Sequence, residues 1–284
     1  MGRRFEPVWA HLLKNKHTIV FDANLTEREK MKNRIFILAH PDDEVFCLPF
    51  LLDKEYRNYL VYLTSGKLPG QSTKMSDLRQ QELSRSLKLL KSRTVIEQIV
   101  LKNTTQDSVL YLDVNFDLLH ELIECIHKKR ISECCTMKFE GGHQDHDFAN
   151  IIARLLSEEL NLTLREFVMY SASNRKKFNF KINLASSVGN ELKFNRMRVI
   201  LLSLRMMRIY RSQWKSWIGL SAPLIYSYIR KKWRDGLTNP SDPIKVPDLA
   251  LYEIRGRAVK KDVIKSIEGL RIKFKELIMS RDEI

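Results

Sequence analysis

The sequence predicts an α/β fold, with a mostly parallel sheet flanked by helices and a helical extension on its C-terminal side. Three observations predict it. Short apolar runs end at polar or glycine-containing turns, stretches with helical spacing alternate with them, and Gly and Pro are sparse, at 10 and 8 residues. Strands that alternate with helices imply βαβ units and parallel pairing.

The elements follow in order. Arg34 to Ala39 is an apolar run ending at His40-Pro41 and reads as a buried parallel strand. Tyr59 to Leu63 is a second strand, stopped by Thr64-Ser65-Gly66. Leu78 to Leu90 is a helix with Leu83, Leu87 and Leu90 on one side. Val95 to Leu101 is a third strand, Phe116 to Ile126 a helix, and Glu133 to Met137 a strand before Gly141-Gly142. Asp147 to Leu160 is a helix with Asp at its start, and Phe167 to Tyr170 a further strand. The last third is mainly helical: Asn195 to Trp217, a Pro-rich loop from Pro240 to Pro247, then an amphipathic helix from Val259 to Leu277. In parallel sheets the ligand site lies beyond the carboxyl ends of the strands. That places attention on the residues after the first and fourth strands.

Composition narrows the class. The chain has 284 residues, 44% of them apolar, enough for a sizeable core. Its four cysteines, Cys47, Cys125, Cys134 and Cys135, contain no Cys-x-x-Cys pair and read as reduced core residues of a cytoplasmic protein. The start, Met1 to Glu6, is basic but leads into no apolar signal core. Gly2 is not a myristoylation site because Glu6 stands where Ser or Thr is wanted. No run of 18 apolar residues is present to span a bilayer. Net charge is +15, which concerns partners and not fold.

The first motif is Ala39-His-Pro-Asp-Asp-Glu44. At a strand-to-helix turn, the i, i+3 spacing of His40 and Asp43 lets an imidazole and a carboxylate converge on one cation. Pro41 suits a first helical position, and Asp42, Asp43 and Glu44 fall in the first turn, where the helix dipole favours acids. Plain helix capping is therefore the competing reading of the acids. The second motif is Glu140-Gly-Gly-His-Gln-Asp-His-Asp147. Gly141 and Gly142 permit a tight or left-handed turn that aims the histidines. One His, one Asp and a second His make three protein ligands and leave a position for water, the open arrangement of catalytic zinc. Such zinc lowers the pKa of water to about 7, and a spare carboxylate takes the proton.

At these two motifs the sequence resembles the PIG-L/LmbE-like family of metal-dependent N-deacetylases. The family's Ala-His-Pro-Asp-Asp-Glu box stands at 39–44 and its Gly-Gly-His-x-Asp-His-Asp box at 141–147. Two weaker elements also match: Arg79 and Glu82 fit an Arg-x-x-Glu helix, and Tyr210-Arg-Ser-Gln213 fits a Tyr-x-Ser-Gln element. A helix-surface ion pair is the competing reading of Arg79 and Glu82. The resemblance is continuous from about residue 34 to 170 and patchy beyond. It implies a Rossmann-like α/β fold, and a single deacetylase domain over 1–250 with its core at 34–170 and a basic helical part at 190–235. Residues 251–284 then form a helix packed on the same domain.

The resemblance also implies roles. His40, Asp43 and His146 would be the metal ligands and Asp42 the general base. His143 would stabilise the tetrahedral intermediate or protonate the leaving amine, and Asp145 would orient a histidine from behind. Arg79, Tyr210 and Gln213 would bind substrate. The metal would be zinc, with ferrous iron or cobalt as alternatives. The substrate would be an N-acetyl sugar conjugate, nucleotide-linked, lipid-linked or smaller, in cell-surface glycan, lipopolysaccharide or other glycoconjugate biosynthesis. One departure bears on substrate: the family often has an acid after Thr-x-Gly, where this chain has Lys67.

From Leu192 to Arg234 there are eleven Lys or Arg and no Asp or Glu, with Trp214, Trp217 and Trp233 among them. Arg198, Arg205, Arg208, Arg211 and Lys215 form a stripe. Three readings fit: a surface for an anionic membrane at the inner face of the cell envelope, a wall of the active site, or a cationic surface over a helical core. The competing functional class is a non-catalytic metal-containing protein that binds anionic membrane or nucleic acid through 192–234. Nucleic acid has only the charge in its favour, since no recognition motif is present.

Overall fold

The computed structural model describes residues 31–102, 104–110, 116–169, 171–174, 177–179, 191–230, 233–244 and 260–279. The N-terminal residues read above and the end of the Pro-rich loop lie outside them. Strand β1 (Lys32–Leu38), a 3-10 turn (Asp43–Cys47) and helix α1 (Leu48–Leu51) open the fold. Then come β2 (Tyr56–Tyr62), α2 (Thr73–Lys91), β3 (Ile96–Ile99), α3 (Phe116–Lys128), β4 (Glu133–Met137), α4 (Gln144–Glu159) and β5 (Thr163–Phe167). A small hairpin, β6 (Ser171–Asn174) and β7 (Lys177–Asn179), precedes α5 (Arg196–Ile209), α6 (Trp214–Ile229), β8 (Leu237–Thr238) and α7 (Lys260–Met279).

The six-stranded sheet runs β3-β2-β1-β4-β5-β8. β2 pairs with β3, β1 with β4 and β4 with β5 in parallel, and only β8 is antiparallel, on the edge beside β5. The mostly parallel α/β sheet is therefore the architecture expected from the alternating pattern. Its order carries a functional consequence. From β1 the chain moves outward to β2 and β3, and it then returns to β4 on the other side. The carboxyl ends of β1 and β4 so flank a topological switch point, where α/β sheets open a crevice. The register pairs Ile37 with Thr136, so His40 and Glu140 leave the sheet side by side.

The core explains the strand sequences. Ile35, Phe36, Ile37 and Leu38 are fully buried because helices cover both faces of the sheet. Helix α3 turns Leu118, Leu119, Leu122, Ile123 and Ile126 inward, and α4 is buried over most of its length. Helix α7 packs against α3 and α4 and buries Leu270 and Phe274. All four cysteines are free thiols, three of them buried. No helix among the described residues is long and apolar enough to cross a membrane.

Of the boundaries that differ from the sequence reading, three have a tertiary reason. The strand expected at 167–170 is Thr163–Phe167. Its charged residues hid it: Glu166 is buried against Arg154 at 2.8 Å, and Arg165 reaches Glu133 at 2.6 Å. Helix α4 starts at Gln144 and not at Asp147, because His143 caps it by accepting the Asp145 amide at 3.2 Å. The helix expected over 195–217 breaks at Tyr210 into α5 and α6, with a 3-10 turn at Arg211–Gln213 between them.

The edge strand β8 depends on Gly236, which has φ +65° and whose carbonyl accepts the Glu166 amide at 2.8 Å. A Cβ there would stand 2.2 Å from the Glu166 carbonyl oxygen, which is backbone held in the sheet. We predict that Gly236→Ala destabilises the fold by about 2 kcal/mol or more, through left-handed strain plus the clash. Thermal melting checks this, and an unchanged melting temperature would show that the edge can yield.

Candidate metal and catalytic site

After β1 the chain makes a tight turn. Asp42 has φ 125° and ψ −15°, a conformation that an L residue avoids and that persists only where its surroundings over-determine it. The surroundings do so here. The Glu44 carboxylate accepts the Asp42 amide at 3.1 Å, and Val45 donates to the Asp42 carbonyl at 3.1 Å. Arg79 donates to the Pro41 carbonyl at 2.8 Å and to Asp42 Oδ1 at 3.3 Å. The Asp42 side chain caps nothing, although Asp42 is the residue before the 3-10 turn. The Asp43 carboxylate turns back to accept the His40 amide at 2.7 Å. Helix capping therefore does not account for this acidic box.

After β4, Gly141 takes φ 68° and donates its amide to Asp147, which also accepts from the Glu140 amide at 2.9 Å. This left-handed turn is the one the Gly-Gly pair foretold, and it aims the following histidines back at β1. His146 Nε2 lies 3.1 Å from His40 Nδ1 and 3.2 Å from Asp43 Oδ1. One atom each of His40, Asp43 and His146 lies within 4.8 Å of the others, all three residues being buried. His40, His143 and Asp145 meet the same criterion around the other edge of the His40 ring. There, however, Asp145 is already engaged: it accepts His40 Nε2 at 2.9 Å and the amides of Ser108 at 2.5 Å and Leu110 at 3.3 Å. A hydrogen on His40 Nε2 shared with Asp145 leaves Nδ1 as the ring atom facing Asp43 and His146, where a metal would displace the proton that the surrounding acids favour on this ring.

Charge makes the same point. Asp42, Asp43, Asp107 and Asp145 are all buried around these rings, with one buried guanidinium, Arg79, to balance them. Burial resists charge on His40, yet Asp107, Asp145 and Asp43 outweigh it and push its pKa up to about 10. Burial likewise opposes ionisation of Asp43 and Asp145, but His146 and His40 hold the first, and His40 the second, below the usual carboxylate range. The Asp42 carboxyl is raised well above that range by burial, against the pull of Arg79. Two imidazole nitrogens and a carboxylate oxygen, in a pocket with surplus negative charge, suit a divalent cation of borderline softness.

Behind this set stands a shell that the sequence only partly announced. Arg79 also donates to Asp107 at 2.9 Å and to the Gly66 carbonyl at 2.9 Å, and Thr64 donates to Asp107 at 2.6 Å. Asp107 belongs to no motif, and only its position after β3 could have drawn notice. Glu82, buried and not on the helix surface, accepts the Ser212 amide at 2.9 Å and its hydroxyl at 2.6 Å. Glu44 accepts the hydroxyls of Ser86 at 2.7 Å, Tyr62 at 3.1 Å and Tyr210. Burial pushes the Glu44 carboxyl up, and these donors restrain it.

Tyr210, expected at the substrate, is not among the residues that line the cleft. Its side chain is fully buried beneath the floor, because its hydroxyl is drawn down onto Glu44. Arg79 does reach the cleft, but its two terminal NH2 groups are occupied by protein acceptors. Gln213 lines the cleft directly. The cleft is about 520 Å³, within the range of about 300–1,000 Å³ usual for small-molecule sites. His40, Asp42, Asp43, His143 and His146 form its floor. Phe46, Leu68, Met75, Met169 and Leu220 give it apolar walls, with Gln71, Gln213, Lys215 and Ser216 between them.

The PIG-L family model, described as GlcNAc-PI de-N-acetylase, matches residues 35–156. No curated protein matches the chain at a significant level. Among solved structures, a deacetylase triple mutant of the teicoplanin biosynthetic pathway aligns at TM-score 0.50 and 15% identity, covering 73% of this chain and 94% of its own. The A40926 pseudoaglycone deacetylase Dbv21 aligns at 0.49 and 14%, covering 70% and 88%. N,N'-diacetylchitobiose deacetylase from Pyrococcus horikoshii aligns at 0.47 and 17%, covering 84% and 94%. At 15% identity, the likeness to the first of these is one of fold alone.

Because Tyr210 serves Glu44 and not the cleft, Tyr210→Phe should act on stability. We predict a loss of about 1–3 kcal/mol, the cost of removing one donor from a buried carboxyl group. Chemical denaturation measures it, and a variant as stable as the parent would show that Glu44 does not need the phenol.

Proposed function

We propose, on the premise that residues 35–156 form a PIG-L family domain, that this chain is a metal-dependent N-deacetylase acting on an N-acetylated sugar conjugate. The observation that carries the reading is the convergence of His40 Nδ1, Asp43 and His146 Nε2 beside the Asp42 carboxylate at the floor of an open cleft. Those three residues would hold the metal. Zinc is the first choice for this donor set, and ferrous iron or cobalt also suits it. The ion, when bound, supplies a Lewis acid that polarises the amide carbonyl and lowers the pKa of water to about 7.

The chain's own residues do the rest. Asp42 accepts the proton of the attacking water, and Arg79 fixes the carboxylate by its bond to Oδ1. His143 accepts the Asp145 amide at Nδ1, so its Nε2 carries the hydrogen and donates toward the reacting amide. In that tautomer it would stabilise the developing oxyanion, and the proton taken by Asp42 would pass to the departing nitrogen. Asp145 keeps His40 in one tautomer and one orientation. Water and amide are thereby converted to acetate and a free amine. Gln213 and Lys215 line the cleft wall and would receive the sugar and an anionic group linked to it, nucleotide or lipid, as in glycan or glycoconjugate biosynthesis. A purely binding role is disfavoured, since it would not require a base held in a strained turn beside the ligand set.

Two variants test the assignment. His146→Ala should lose most of the metal on elemental analysis of the purified protein, and full retention would sink the ligand set. Asp42→Asn should keep the metal and lose about 10²–10⁴-fold in acetate release, because the amide cannot take the proton. Assay over free, nucleotide-linked and lipid-linked N-acetylglucosamine identifies the substrate class, and activity within a few-fold of the parent would assign the base elsewhere.

A further inference from the structure

Helices α5 and α6 form an antiparallel pair, joined by the turn at 211–213 and tied at the far end by Arg196, which donates to the Ile229 carbonyl at 3.2 Å. Each helix turns one face inward. On α5, Val199, Leu202 and Met206 are buried; on α6, Trp217, Leu224 and Tyr228 are buried. Of the three tryptophans of the basic segment, Trp217 and Trp233 therefore belong to the core, and Trp214 is exposed.

The outward faces are not polar. Met197, Leu201 and Leu204 are exposed at i, i+4, i+7 spacing on α5, with Met197 63% exposed. Trp214, Ile218 and Ile229 stand in one stripe along α6, with Ile218 71% exposed. Arg198, Arg205 and Arg208 flank the first stripe, and Lys215 and Arg230 the second, all exposed. No acid interrupts the sequence between Leu192 and Arg234. Contiguous exposed apolar surface marks an interaction site. Apolar stripes bordered by cations, with a Trp at the margin, have the chemistry of a helix that lies at an anionic bilayer interface. A nucleic acid would match the charge but not the stripes, since phosphate contacts are polar.

We propose that the α5–α6 pair docks this protein on an anionic lipid bilayer and holds the cleft mouth at the membrane, where a lipid-linked substrate is presented. Lys215, Ser216 and Gly219, beside the exposed stripe on the same helix, line the cleft, so docking and substrate entry share one element. The lipid-linked substrate rests on the proposed deacetylation, whereas the docking does not.

The test is co-sedimentation of the metal-loaded full chain with phosphatidylcholine vesicles, with and without phosphatidylglycerol, at low and high salt. The chain should sediment with the phosphatidylglycerol vesicles only, and high salt should release it. Arg205→Glu combined with Arg208→Glu should lower the partition by about fivefold or more per residue changed, and Ile218→Ser by about tenfold. None of the three positions lines the cleft, so both variants should melt like the parent and release acetate from a soluble conjugate at the parental rate. Equal binding to both vesicles, no binding to either, or partition unaffected by these substitutions would overturn the proposal. So would binding to DNA in place of vesicles, or a dimer in solution that Ile218→Ser dissociates. Vesicle binding without acetate release from any conjugate would leave the docking intact and remove the enzymatic reading; acetate release without vesicle binding would do the reverse.

Discussion

Four carboxylates share a buried space with one guanidinium, and much of the surrounding structure serves to hold that space open and ordered. Removing Asp42, Asp43, Asp107 and Asp145 from water is costly unless each is hydrogen-bonded and positive charge is close. Arg79 meets part of the demand, bridging Asp42 and Asp107 while gripping the carbonyls of Pro41 and Gly66. Backbone amides meet another part, at Asp145 and Asp43. The two imidazoles that face Asp43 stand where a cation would complete the balance.

That arrangement explains why the C-terminal helices belong to the site although they carry none of its metal-binding candidates. Glu44 lies under the strained Asp42 turn and binds its amide, and the Tyr210 hydroxyl at the end of α5 binds Glu44 in turn. Glu82, one helical turn from Arg79 on α2, anchors Ser212 at the start of the α5–α6 turn. One helix thus grips the Asp42 turn at Arg79 and the cleft wall at Glu82. A change in how α5 and α6 seat would reach Asp42 through two hydrogen bonds.

Charge is also partitioned in space. The chain is +15 overall, yet the floor of the cleft is acidic, and Arg198, Arg205, Arg208, Arg211, Lys215 and Arg230 are exposed. An anionic conjugate would meet the basic exterior first, while the acidic interior selects for a metal ion and for an uncharged amide. This division separates long-range attraction, which salt screens, from short-range chemistry, which burial protects.

The sequence by itself determined the mostly parallel α/β class, the order of the main elements from β1 to α4 and the identity of the residues on the cleft floor. Those properties are local: apolar runs at strand length, helical spacing, a Gly-Gly turn, and two compact boxes at strand ends. Tertiary structure alone decided what lay outside local pattern. It placed Tyr210 under the floor and not in the cleft, because a buried carboxylate a long way off in sequence needed its hydroxyl. It ruled out the surface-pair reading of Arg79 and Glu82 by burying both as two separate clamps, and it recruited Asp107 without any motif. It broke the helix at Tyr210 and hid strand β5 among charged residues whose partners lie on other elements. It also sorted the tryptophans, burying Trp217 and Trp233 and leaving Trp214 outside. Hydrogen-bond demand and burial are settled between distant segments, and one-dimensional spacing records neither until the sheet has brought those segments together.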